Sequence, residues 1–381
     1  MNRRLYFDYC ATTPIHPHVR DEMLRALDQN FGNPSSMHWA GQEARQLVDQ
    51  SRRQVADGLG CKPETIIFTS GATEADNLAL FGTLHLFLPK EAHLITSAIE
   101  HHAILHAAQE LEREGYAVTY LPVDEHGVVN IKDIRKAIRP ETKLVSIMYV
   151  NNEVGSIQPI AETGKLAREH QILFHTDAVQ AIGLLDINVD NINIDLLSLS
   201  AHKIYGPKGV GALYLRSGIE LKSIIHGGPQ EHSLRAGTEN VPGIVGLGAA
   251  MTLVRQHRSQ ERMRIMELRR SLIDGLKTVS PEVIVHGVEE CSAPHILSVS
   301  FPGADAEMTL IRLSREGIAV SLGSACNSES IEPSHVLTAM RIPTEQIDST
   351  LRISLGMQTT PEDIDVLLDA MMRVLPRAVI Q

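Results

Sequence analysis

Cysteine is scarce in this chain of 381 residues: the four, Cys10, Cys61, Cys291 and Cys326, stand far apart. Such spacing excludes a dense disulfide framework and the close pairs of a cysteine-based metal site, and it reads as a reducing, cytoplasmic setting. Positive charge is also in deficit. With a formal net charge of -11 and no basic stripe, the chain lacks the footprint of a nucleic-acid binder, so its ligands are small molecules or proteins. Long apolar runs are missing too, none approaching the ~20 residues of a membrane span. The opening "MNRRLYFDYCATTP" meets Asp8 and Pro14 where a secretory signal needs its apolar stretch. Neither an internal repeat nor a low-complexity tract is found.

What is present is a rhythm. A chain of this length exceeds the size at which one hydrophobic core stops growing, which implies two lobes. From Thr65 to about Arg216, the runs "TIIFTS", "HLITSAI", "YAVTYLPV", "TKLVSIMYV", "ILFHTDAV", "IDLLSLS" and "GVGALYLR" alternate, in the earlier part, with helical patterns such as "AILHAAQELEREG". Several runs are apolar almost throughout, as strands covered on both faces must be. The expectation is an α/β fold with a mostly parallel, seven-stranded sheet. After Val241 comes a long helical connector with one solvated face, "LVRQHRSQERMRIMELRRSLIDGLKTV". A smaller α+β lobe follows, with strands at "VIVHG", "HILSVSF" and "STLRISLG" and helices at "DAEMTLIRLSREG" and "TPEDIDVLLDAMMRVL". Pro361, Glu362 and Asp363 suit the first turn of that last helix. We expect the large domain to span residues 15–258, and the small one to combine 1–14 with 259–381.

In parallel α/β sheets ligands sit at the carboxyl ends of strands, and in this chain those ends hold the unusual residues. After "TIIFTS" comes Gly71-Ala72-Thr73-Glu74, where a helix start would offer backbone N–H groups and a positive dipole end to a phosphate, or would simply be a capped helix. His101 follows "HLITSAI", Asn152 follows "TKLVSIMYV", and Asp177 and Gln180 follow "ILFHT". A histidine at a strand end is more often structural than functional. A buried carboxylate is costly without a partner, and a ligand cation would supply one. Ser200, His202 and Lys203 end "IDLLSLS", where an amine held out of water becomes a usable nucleophile or base. Lys208 lies beyond Gly206-Pro207, as a rim charge. Phosphate donors, a carboxylate, a ring to stack and a lysine on adjacent strand ends together describe a pyridoxal phosphate site.

With these residues in hand the chain resembles the cysteine desulfurases, fold type I pyridoxal phosphate enzymes of the class V aminotransferase group. The likeness runs in order through "DYCATTP", "FGNPSS", "FTSGATEADN", "EHHAIL", "VNNEVGSIQP", "HTDAVQ", "SAHKIYGPKGVGALY", "RAGTEN", "GSACNSES", "EPSHVL" and "LRISLG". It implies Lys203 as the Schiff-base lysine, Asp177 as partner of the pyridinium and His101 as the stacked residue and a proton donor or acceptor. It gives the phosphate to Ala72, Thr73, Ser200 and His202, and the ring oxygen and substrate to Asn152 and Gln180. Arg352 would hold the carboxylate of the substrate, L-cysteine. Thr238 matches a phosphate contact made from the neighbouring subunit, implying a homodimer with shared sites. Cys326, in a Gly- and Ser-rich segment, matches the nucleophile that takes the sulfur as a persulfide and passes it to an acceptor protein, an iron–sulfur scaffold among them.

The chain also departs from the pattern. Cys10 stands where a small residue such as serine is expected, placing a second thiol near the cleft. Pro229 replaces a glycine, and His232-Ser233-Leu234 is unusual before Arg235. The sequence ends at Gln381 without the tail some desulfurases use to hold a scaffold, which leaves the acceptor open. Selenocysteine lyase and a small-substrate aminotransferase are rival readings on the same fold, and a sulfur carrier without turnover is a rival of another class.

Overall fold

A short strand, β1 (Leu5–Tyr6), opens the chain and pairs far along it. The computed structural model describes residues 4–287, 292–323 and 333–375. Within them the expected apolar runs become β2 (Ile66–Thr69), β3 (His93–Ser97), β4 (Ala117–Leu121), β5 (Thr142–Ser146), β6 (Leu173–Asp177), β7 (Leu196–Ser200) and β8 (Gly211–Leu215). They form one seven-stranded sheet in the order β2-β8-β7-β6-β5-β3-β4. Strands β7, β6, β5, β3 and β4 are parallel neighbours, whereas β8 runs against both β7 and β2. The reversal follows from the connection. Residues 201–210 hold a single 3-10 turn, and a parallel crossover needs about a dozen residues or more, usually with a helix.

Successive residues of these strands feed opposite cores. Ile95, Val145, Phe174 and Leu197 face one cluster, while Leu94, Leu144 and Leu196 face the other. Burial on both sides is why the runs read as continuous apolar stretches without polar alternation. Helices Ala72–Leu84 and His102–Arg113 cover one face. Trp39–Leu59, Ile160–Glu169 and the first half of Val241–Val279 cover the other.

The 39-residue helix Val241–Val279 links two cores. Its start packs with Val48 and Val55, and its end sends Ile265, Leu268, Leu272 and Leu276 into a separate cluster with Leu297, Val299, Leu351 and Ile353. That cluster lies on an antiparallel sheet of β9 (Ile284–His286), β10 (Ile296–Ser300), β12 (Ser321–Leu322) and β13 (Thr350–Ser354), in the order β12-β13-β10-β9. Strand β11 (Ile318–Ala319) pairs with β1. Met263 and Met266 lie on the exposed side of the long helix. Among the described residues no helix is long and apolar enough to cross a membrane.

Candidate active site

Parallel strands that end together put their following residues around one hollow, and here a cavity of about 580 Å³ opens at those ends. Lys203 ends the 3-10 turn after β7 and lines this cavity. Its Nζ donates to the carbonyls of Cys10 and Ala11, the latter at 3.0 Å, so the N-terminal segment folds over the amine and holds it. Asp177 ends β6 and is 6% exposed; its Oδ1 accepts from Val179 N at 2.9 Å. Burial pushes its carboxyl up to about 6 against the pull of the Val179 N–H and Lys203.

At the opposite wall, helix Ala72–Leu84 begins after Gly71 with no side chain capping it. Ala72, Thr73, Ser200, His202 and Lys208 surround that helix start within the same cavity. Strand β8 passes so close that a Cβ on Gly211 would fall 2.7 Å from Gly71 Cα, which keeps the turn open and small. His202 is set by Thr12, whose Oγ1 lies 3.1 Å from Nδ1, and burial with Lys203 and Lys208 nearby lowers its imidazole to about 4. Lys208 is solvent-exposed, in keeping with a charge at the rim.

His101 caps helix His102–Arg113, its Nδ1 accepting from Ala103 N at 3.1 Å. Burial, and then Lys203, lowers it to about 4, so the ring is neutral with its proton on Nε2. Asn152 and Gln180 also line the cavity, and Gln180 Nε2 donates to the Cys10 carbonyl at 3.0 Å. Arg352, 3% exposed on β13, reaches it from the second core. Its Nη1 donates to the Asn152 carbonyl at 3.0 Å and its Nη2 to Asp8 Oδ1 at 2.8 Å.

Eleven of the residues singled out from the sequence are therefore described, and ten line one cavity. Thr238 is the exception: it is exposed and lies off the cavity of its own chain. Cys326 lies outside the described residues, as does Cys291. Cys10 does line the cavity, but burial pushes its thiol up, disfavouring the thiolate. The stretch at Glu231 to Ser233 forms a left-handed turn, with φ of 45°, 58° and 65°. The buried Glu231 anchors it, accepting from Phe68 N at 2.8 Å and from Arg52 at 2.5 Å.

Sequence reasoning missed three carboxylates. Asp8 holds Arg352, and Glu153 ties together segments distant in sequence. Asp76, on the second turn of helix Ala72–Leu84, is wholly buried at the cavity; its Oδ1 lies 3.6 Å from His175 Nε2. Burial, and then Asp177, raises its carboxyl well above the usual range. The only sequence signal was an acid just before the apolar run of the helix, in "ATEADNLALFGTL".

A lysine, a buried aspartate and an uncapped helix N-terminus on the ends of a mostly parallel sheet define the architecture of the fold type I pyridoxal phosphate enzymes. Residues 5–367 match the family model for aminotransferase class V. A cysteine desulfurase IscS of Clostridium botulinum (strain Hall) is 48% identical over 98% of this chain and 95% of its own length. A solved NifS-like protein superposes with a TM-score of 0.92 at 38% identity, covering 98% of this chain and 99% of that one. SspA, solved in complex with cysteine, gives 0.83 at 40% identity over 92% and 98%. The chain belongs to the class V aminotransferase family and, within it, to the cysteine desulfurases.

Proposed function

We propose that this enzyme removes sulfur from L-cysteine, releasing L-alanine and leaving the sulfur on Cys326 as a persulfide, with pyridoxal 5′-phosphate as cofactor. The net step balances without an outside redox partner. The substrate Cβ–S bond breaks and Cβ gains a hydrogen, while the sulfur joins the Cys326 sulfur; carbon is reduced as the two sulfurs are oxidised. The observation that carries the reading is Lys203 at a cavity bounded by buried Asp177 and the uncapped start of helix Ala72–Leu84.

The residues suit the cofactor at both ends. An open helix start, with Ser200 and His202 beside it, suits a phosphate held by Ala72, Thr73, Ser200 and His202. Two buried carboxyls with raised pKa values favour a cationic partner, and the ring nitrogen would give Asp177 the charge that restores its ionised form. When bound, the cofactor supplies a ring that withdraws electrons from the substrate Cα. His101 would lie against that ring, and Asn152 and Gln180 would hold its oxygen and the substrate.

Lys203 Nζ would hold the cofactor and, when free, would take the proton from the substrate Cα. Arg352 orients the substrate carboxylate through its planar fork. Neutral His101 can pass a proton from Nε2. The active unit is a homodimer in which Thr238 reaches the partner's phosphate; its exposed position off its own cavity supports this, as do exposed Phe31, Met37 and Trp39. Light scattering is expected to give the mass of two chains, and a monomer fully active at nanomolar concentration would refute the shared site. A cytoplasmic setting and a protein acceptor of sulfur, such as an iron–sulfur scaffold, complete the proposal.

The test is mass spectrometry of the purified holoenzyme after incubation with L-cysteine without reductant, beside an alanine assay. Alanine with an added sulfur on the Cys326 peptide is expected. Alanine with Cys326 unmodified would point to Cys10 or to direct sulfide release, and neither product would return the chain to aminotransfer or carriage.

A further inference from the structure

Glu153 follows the cavity residue Asn152 but does not itself line the cavity, and it is 3% exposed. A buried carboxylate must be held by donors or it costs several kcal/mol. Glu153 Oε2 accepts from Ser334 Oγ at 2.5 Å. Ser334 in turn caps helix His335–Ala339, its Oγ accepting from Leu337 N at 3.1 Å. The same carboxylate oxygen lies where Gly323 packs: a Cβ on Gly323 would fall 2.9 Å from Oε2.

Gly323 and Ser334 flank residues 324–332, the segment that bears Cys326. On the incoming side Gly323 directly follows β12, whose Ser321 pairs in register with Arg352 on β13. Arg352 donates to the Asn152 carbonyl, one peptide from Glu153. Glu153 N donates to Asn151 Oδ1 at 2.9 Å, fixing that main chain. One short stretch, Asn151 to Glu153, thus touches the substrate-carboxylate arginine through its backbone and both flanks of the thiol-bearing segment through one side chain.

We propose that Glu153 is a positioning residue for sulfur transfer: it clasps Gly323 and Ser334, so that these two flanks of the Cys326 segment stand in fixed register with Arg352. The proposal rests on the reading of Cys326 as the sulfur acceptor. Binding of cysteine depends on Arg352 and the cofactor, whereas transfer depends on where the two flanks stand relative to them. The two properties separate in the clasp variants.

The test uses the holoenzyme with Glu153→Ala, Glu153→Gln and Gly323→Ala. Three quantities are read: the visible absorbance change on adding L-cysteine, the added sulfur on the Cys326 peptide after one turnover, and backbone hydrogen exchange over 319–323 and 333–339. In Glu153→Ala the half-saturation for the absorbance change stays within about twofold of the wild type while sulfur on Cys326 falls about tenfold or more. Exchange quickens on both flanks. Gly323→Ala, which presses on the same oxygen from the other side, behaves alike, and Glu153→Gln, which still accepts from Ser334, recovers most of the transfer. Wild-type transfer in Glu153→Ala overturns the proposal, as does an equal loss of absorbance change and transfer with unaltered exchange. If the wild-type holoenzyme itself never adds sulfur to Cys326, the desulfurase reading falls, and quickened or unaltered exchange on the two flanks still decides whether Glu153 holds them.

Discussion

Each charged residue of the site is defined by what opposes its charge. Lys203 rests on the Cys10 and Ala11 carbonyls, Arg352 on Asp8, and Asp177 on one backbone N–H. The first two pairings are met within the chain, whereas Asp177 keeps a raised pKa that a ligand cation would lower. Lys203→Ala is therefore expected to abolish the visible absorbance of the purified protein, because the amine proposed to bond the cofactor is gone. Cys326→Ser is expected to keep that absorbance and lose sulfide release from L-cysteine. An unchanged spectrum in the first variant would assign the bond to Lys208, and full activity in the second would assign the nucleophile to Cys10. Nine of the ten cavity-lining residues were marked in the sequence by position, just after an apolar run or at the start of the next element, whereas Arg352 lies inside β13 and was named only through the family resemblance. Asp8, Asp76 and Glu153 were not legible, since their partners Arg352, His175 and Ser334 lie from 99 to 344 residues away.

At the scale of elements, legibility tracks burial. Strands β2, β3 and β5 to β8 were readable because both faces are covered, whereas the edge strand β4 is only partly buried. The paired order of β9, β10, β12 and β13 was not readable, because long-range antiparallel register leaves no local mark. Helices Pro17–Gln29 and Trp39–Leu59 escaped notice: each is capped by a histidine, His16 and His38, instead of the usual Ser, Thr, Asp or Asn. The last helix was read from Pro361, Glu362 and Asp363, and the structure adds a capping box between Thr360 and Asp363. Thr360 Oγ1 accepts from Asp363 N at 3.3 Å, and Asp363 Oδ2 accepts from Thr360 N at 3.0 Å. Because Leu367, Met371 and Val374 of this helix fill the second core, Thr360→Ala should destabilise the protein by about 1 kcal/mol. Chemical denaturation monitored by far-UV circular dichroism checks this, and an unchanged midpoint would mean that solvent satisfies the same N–H groups.

On the scale of the whole molecule, we propose two domains, residues 15–258 and 1–14 with 259–381, whose cores interlock: Ile296, Val336, Leu337 and Met340 of the smaller one pack in the first core. Leu5 and Phe7 pack in the second core and Cys10 in the first, so the N-terminal segment crosses between them beside Lys203. Buried titratable groups then set how stability varies with pH. Burial holds His93, His101, His202 and His286 at about 4 and His175 and His295 at about 3, against 6.5 in an unfolded chain. Below pH 6.5 the unfolded state binds protons that the native state refuses, so these six histidines drain stability as pH falls towards 4. Asp177, at about 6, and Glu100, at about 8, act in the opposite sense, since the native state holds their protons more tightly than the unfolded one; Asp76 joins them. Six groups outweigh three over the same interval. Glu100 adds stability as pH falls from 8 to 6.5, before the histidines begin to act, so the maximum is expected near pH 6.5, with a steady decline to pH 4.5. Calorimetric Tm values for cofactor-free protein at constant ionic strength read this directly. A Tm that rises from pH 6.5 to 4.5 would mean that the carboxyls, and not the histidines, dominate the buried charge.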